Sequence, residues 1–292
     1  MVTPLCEEFA PEDNPLELCP VTLCIAAICH EDGKDRIVLC SDWKSSSSLG
    51  SSQTADKLRW IKKPDWLVLT AGKIHEIELL VRAYRKKFKT VEITEDNATE
   101  EIESVAKEQL IKRKADYVER QLGVTYEYFR THGQEFPVDL RAGIFAAIRQ
   151  IDLGASLLFA GYVKPERGKP RPLLCTVKQD SSVSIETDFG MVGEGLMVAI
   201  PPLRRREFDS GISMMKAIYQ VYEAKTLAEI VPSVGEDTSL DVFFPDGTLQ
   251  SLTKSGYQYL DNRLREYGPR PRVRSVRHKQ SFFRPFKWSE MS

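Results

Sequence analysis

Residues 19–46 read CPVTLCIAAICHEDGKDRIVLCSDWKSS. Two apolar, β-branched runs, VTLCIAAICH and RIVLCSD, flank the polar turn EDGKD, which contains Gly33. Such runs around a short glycine-containing turn predict a β-hairpin. Thr22 then heads the first strand and Asp42 closes the second. Strands of a hairpin run antiparallel, so these two ends lie side by side and bring a hydroxyl next to a carboxylate.

Outward from the hairpin, KLRWI (57–61) and WLVLTAG (66–72) form a second strand pair, turned by KKPD. Lys57 starts this pair and Gly72 ends it. In IHEIELLVRAYRKKF, residues Ile74, Ile77, Val81, Tyr84 and Phe88 recur at helical spacing on one face. A second helix runs from Asn97, a candidate N-cap with Glu100 three residues on, to Gly123. The stretch 124–142 has no clear period. ASLLFAGYV, RPLLCTV and SVSIETDFGMVG then alternate as strands do. Residues 209–230 predict a third strong helix, with Ile212, Met215, Tyr219 and Tyr222 on one face. SLDVFF predicts a closing strand and TKSGYQYLDNRLREYG a last helix. Strands and helices in separate runs predict an α+β fold, with two antiparallel sheets covered by helices.

The bulk numbers narrow the function. The 292 residues carry a formal net charge of -1, which shows no overall bias towards nucleic acid or membrane. The ends differ. Residues 1–21 hold Glu7, Glu8, Glu12, Asp13 and Glu17 with no Lys or Arg. Residues 267–292 hold Arg270, Arg272, Arg274, Arg277, Lys279, Arg284 and Lys287 against Glu290. The first segment reads as an acidic leader or candidate propeptide, 22–266 as one domain, and 267–292 as a basic tail suited to solvation or subunit docking. The tail mixes basic and aromatic residues as some nucleic-acid arms do, but nucleic acid is the less favoured partner. None of the six cysteines forms a CxxC pair, which predicts a reducing, cytoplasmic setting. The leader lacks the basic and apolar regions of a signal peptide, and no apolar run reaches membrane-spanning length. The four histidines show no metal-ligand spacing, so neither metal nor cofactor is expected.

Thr22, Asp42, Lys57 and the Gly72 amide would therefore cluster at one end of a sheet. That set can perform acyl transfer. A threonine hydroxyl needs a base. Were Thr22 the first residue of a processed chain, its own α-amine, with a pKa near ~8, could serve. Lys57, held charged by Asp42, would favour the alkoxide. The Gly72 N–H, ahead of a helix N-terminus, could hold the oxyanion. Each residue also has a plainer reading. Thr22 can be an ordinary strand residue, Asp42 a turn or cap residue, Lys57 an exposed strand-end lysine and Gly72 a turn glycine. Cys24, two residues beyond Thr22 on the same face, reads as core.

The pieces TLCIAAIC, RIVLCSD, DKLRWI and VLTAG, followed by LLFAGY, PRPLLCTV, VGEG, YEAK and VGEDTSLDVFF, resemble the proteasome β-type subunits and their bacterial relatives, N-terminal-nucleophile (Ntn) hydrolases, over roughly residues 22–245 in element order. The resemblance implies a four-layer αββα sandwich. It also implies a threonine peptidase or amidohydrolase, with Thr22 as nucleophile, Asp42 and Lys57 as the polar pair and Gly72 as oxyanion donor. Assembly into a homo-oligomeric ring or filament, acting on peptide or protein substrates, would follow. The chain departs from the pattern in three places. Val21 stands where glycine usually precedes the threonine, Glu194 stands in place of a serine, and Asp237 is a shifted counterpart of a further aspartate. A catalytically inactive structural subunit is the alternative these departures suggest.

Overall fold

The computed structural model describes residues 22–43, 45–47, 50–52, 57–165 and 168–268. The acidic leader and nearly all of the basic tail lie outside the described residues. The chain divides into two compact units, Met1–Leu252 and Thr253–Ser292.

In the first unit, β1 (Leu23–Glu31) and β2 (Lys34–Asp42) form the hairpin, closed by Asp32 and Gly33, both at positive φ. Short strands β3 (Ser45–Ser47) and β4 (Gly50–Ser52) pair with each other. Next come β5 (Leu58–Lys62), β6 (Trp66–Gly72), α1 (Ile74–Thr90) and α2 (Ala98–Leu122). The stretch without a period is helical. It forms α3 (Tyr126–His132), one 3-10 turn, and the start of α4 (Val138–Gln150), which runs on past it. Its apolar residues pack in a small cluster of their own, around Val118, Phe129, Ile144 and Ile148. The order continues with β7 (Ala155–Val163), β8 (Arg171–Val177), β9 (Val183–Glu186), β10 (Phe189–Gly193), α5 (Leu196–Arg205), α6 (Met214–Ala228), β11 (Thr238–Phe243) and β12 (Leu249–Ser251).

Two five-stranded antiparallel sheets result. One has the order β10-β1-β2-β11-β12 and the other β5-β6-β7-β8-β9. The period-two rule assigns their faces. Leu67, Leu69 and Ala71 of β6 meet Cys24, Ala26 and Ile28 of β1 between the sheets. Trp66 and Val68 turn the other way, into a core with Ile77, Tyr84 and Phe88 of α1 and Ile102 and Val105 of α2. The opposite face of the first sheet is covered by α6, which packs on β1 and β2 and against α5. β1 is thus buried on both faces, which is why its residues from Leu23 to Cys29 are apolar without alternation. Leu23, Ile25 and Ile28 each contribute about 1.5–3 kcal/mol by burial, and the alanines less. The layers are helix, sheet, sheet, helix, an α+β arrangement consistent with an Ntn-hydrolase-like fold.

Three expectations need local correction. Ile74 is exposed, because it is the first residue of α1 and precedes the turn that meets the sheet. Asn97 does not cap α2 through its side chain, which instead accepts from the Thr94 N–H at 2.8 Å. On α6 the buried face is centred on Ala217, Ile218, Val221, Ala224 and Ala228, and Met215 is exposed.

The second unit contains α7 (Lys254–Tyr267), capped by Thr253, whose hydroxyl accepts from the Gly256 N–H at 3.2 Å.

Candidate active site

The site begins with the hairpin register. Leu23 opens β1 one residue after Thr22, and the pair Cys24–Ser41 places Asp42 across from Leu23. The Thr22 hydroxyl donates to Asp42 Oδ1. The same oxygen accepts the Leu23 N–H at 2.9 Å. The other carboxylate oxygen, Oδ2, accepts the Gly235 N–H at 3.0 Å. Thr22 is 1% exposed and Asp42 is fully buried, so each of these bonds forms away from water. Asp42 is therefore more than a strand-end residue. It joins β1, β2 and the segment before β11 through both of its oxygens.

Lys57 stands at the head of β5. The backbone N–H and the hydroxyl of Thr70 both donate to its carbonyl, each at 3.1 Å. Its side chain is buried, at 7% exposure, contrary to the plain reading of an exposed strand-end lysine. Cys24 links the two sheets at this end, since its thiol donates to the Thr70 carbonyl at 3.6 Å. Burial pushes that thiol well above the ordinary range, Asp42 adds to the rise, and the Lys57 ammonium opposes it. Cys24 is an inert core thiol that reports both charges nearby.

Gly72 ends β6 at φ +132, and a side chain there would overlap the backbone of Ala155 and Gly154. The Thr70 N–H reaches Lys57 on the β5 side, and the Lys73 N–H reaches Gly154 on the β7 side at 2.9 Å. Gly72 lies two residues beyond Thr70 on β6, and it is Thr70 that meets the Lys57 carbonyl. Helix α1 starts two residues later, at Ile74.

Thr22 and Asp42 are thus in direct contact. Lys57 and Gly72 come to the same end of the paired sheets through Thr70. Sequence reasoning missed Gly235, Thr70 and Gly193. Gly193, at φ +108, lies against the Thr22 carbonyl, with no room for a Cβ. Of the departures, Glu194 is exposed. The Asp237 carbonyl accepts the Trp43 N–H at 3.2 Å, continuing the β2–β11 pairing. Three cavities, of about 630, 660 and 400 Å³, lie elsewhere, and none is lined by Thr22, Asp42 or Lys57. Among the described residues no group of three or more His, Cys, Asp or Glu side chains could hold a metal ion. No helix among them is long and apolar enough to cross a membrane.

The layers and the strand order are an α+β arrangement consistent with an Ntn-hydrolase-like fold. The chain is similar in structure to the Anbu (Gly-1) mutant from Hyphomicrobium sp. strain MC1, with a TM-score of 0.56 and 15% identity over 91% of this chain and 99% of that one. No family model matches the chain, and no curated protein matches it. These findings overturn the assignment to the proteasome β-type subunits. The short pieces that carried it are apolar strand runs and strand-end polar groups. A two-sheet sandwich demands those from any sequence that folds this way, so they report the fold and not the family.

Proposed function

We propose that the chain is an amide hydrolase of the N-terminal-nucleophile type, with Thr22 as the nucleophile once the Val21–Thr22 bond has been cut. The observation that carries this reading is the buried hydrogen bond from the Thr22 hydroxyl to Asp42, with the buried Lys57 at the head of the neighbouring sheet's β5. In the cut chain the new α-amine takes the hydroxyl proton as Thr22 Oγ1 attacks a substrate carbonyl. The Gly72 N–H and the α1 dipole stabilise the oxyanion. Collapse of the tetrahedral intermediate expels the amine, which leaves with that proton. Water, deprotonated by the α-amine, then attacks the ester, frees the acid and restores the hydroxyl. Peptides or proteins are the substrates in this reading. The four described cysteines are buried free thiols, which supports a reducing, cytoplasmic setting.

The test is hydrolysis of a peptide-amide library before and after removal of residues 1–21. Cleaved chain should turn over substrate, and uncleaved chain and cleaved Thr22→Ala should not. Turnover by the uncleaved chain would assign the chemistry to another group.

A second reading, a catalytically inactive subunit that works through homo-oligomer assembly, is favoured by Val21. A β-branched residue resists the tight turn that self-cleavage at this bond needs. Purified protein that keeps residues 1–21 by intact mass and forms a homo-oligomer in light scattering supports this reading. A monomer counts against it.

A further inference from the structure

We infer that Lys225 is a positioning residue for the candidate site, holding the Gly235 amide against Asp42 from the far side of the sheet. This rests on the reading of Thr22 and Asp42 above.

Lys225 lies near the end of α6, and its side chain has no exposure to solvent. Its Nζ donates to Glu229 Oε1 and to the Glu236 carbonyl, each at 2.6 Å. Three consecutive residues then make three different attachments. The Gly235 N–H donates to Asp42 Oδ2, the Glu236 carbonyl receives Lys225, and the Asp237 carbonyl receives the Trp43 N–H. A peptide plane held by an ammonium on one side cannot turn freely, so the amide two positions back keeps its aim at the carboxylate. With Oδ2 fixed in this way, Oδ1 faces Thr22 and Leu23.

Packing alone does not explain the lysine. A fully buried ammonium is costly unless closely paired, and an apolar side chain of similar volume is often as stable or more so. The charge also acts at this end of the sheet. Cys40, two residues before Asp42, is pushed up to about 12 by burial, and Lys225 is the foremost group opposing that rise. Asp42, Asp241 and Glu229 are the charges that add to it.

The full chain labelled with 15N-glycine tests this. Gly235 is identified among the 17 glycines by its loss in Gly235→Ala. Asp42→Asn sets the scale by moving the Gly235 amide resonance. Lys225→Met is expected to move that resonance by a comparable amount, while Gly33 and Gly161, in other parts of the two sheets, stay in place. A Gly235 resonance unmoved in folded Lys225→Met overturns the inference. Should Lys225→Met not fold, Glu229→Gln decides. It keeps the lysine and removes one partner's charge, and it should shift Gly235 in the same direction by a smaller amount. No shift there overturns the inference equally. The signal is read in the uncleaved chain, so failure of the hydrolase reading and failure of this one are seen in separate experiments.

Discussion

Thr22 and Asp42, 20 residues apart, are joined by a buried hydrogen bond that the β1–β2 hairpin alone suffices to bring together. The carboxylate also serves two backbone amides, from Leu23 and Gly235. One side chain thereby connects a candidate nucleophile to the frame of the sheet.

Asp42→Ala removes the acceptor from both amides and leaves them buried. An unsatisfied buried donor costs about 1–3 kcal/mol, so with two amides orphaned the loss of stability should be roughly 2–6 kcal/mol by urea denaturation. Asp42→Asn keeps one carbonyl oxygen and should lose less. An unchanged midpoint in Asp42→Ala would mean that water or another acceptor replaces the carboxylate.

Gly193→Ala tests the other wall of the site. The residue sits at φ +108, and an added Cβ would overlap the Thr22 carbonyl, which is backbone and cannot swing aside. Left-handed strain and the forced shift together should destabilise by about 2–4 kcal/mol. They should also displace Thr22 from Asp42. Stability equal to that of the unsubstituted chain would show that β10 does not press on Thr22.

The buried thiols give a pH dependence. Burial pushes Cys29, Cys40 and Cys175 up to about 12, from an ordinary value of 9.0. Cys24 is pushed higher still. The folded chain holds these protons where the unfolded chain releases them, so stability is intact below about 9 and falls as pH rises through that range towards 12. Native protein at pH 8 should leave these four thiols unmodified by iodoacetamide, and all four should react in urea. Rapid native alkylation of Cys24 or Cys40 would contradict the burial of this sheet end.

Much of this was legible in the chain. The ends of a hairpin must adjoin, so Thr22 and Asp42 could be paired from local pattern alone, and the strand pair from Lys57 to Gly72 follows the same rule. Helix α5 was not legible, because Pro201 and Pro202 sit inside it and the strongest helix-breaking signal argued against it. Residues 124–142 hid α3 and the start of α4, whose apolar residues pack in a separate small cluster and show no long stripe. Gly235 reaches Asp42 across 193 residues, a contact no local pattern encodes. Lys225 did leave a trace, since it falls four residues after Val221 and three before Ala228, inside the buried stripe of α6. A charge at a core position of a helix signals a polar partner, although it does not say which.

The most direct measurement is the intact mass, with peptide mapping, of folded protein that begins at Thr22, after incubation with a peptide epoxyketone. That electrophile needs both a hydroxyl and a free α-amine on the same residue. One adduct is predicted, mapped to Thr22, absent from Thr22→Ala and from chain that retains residues 1–21, and strongly reduced in Lys57→Ala. A folded chain beginning at Thr22 that forms no adduct would contradict a nucleophilic role for this threonine, leaving its bond to Asp42 as structure alone.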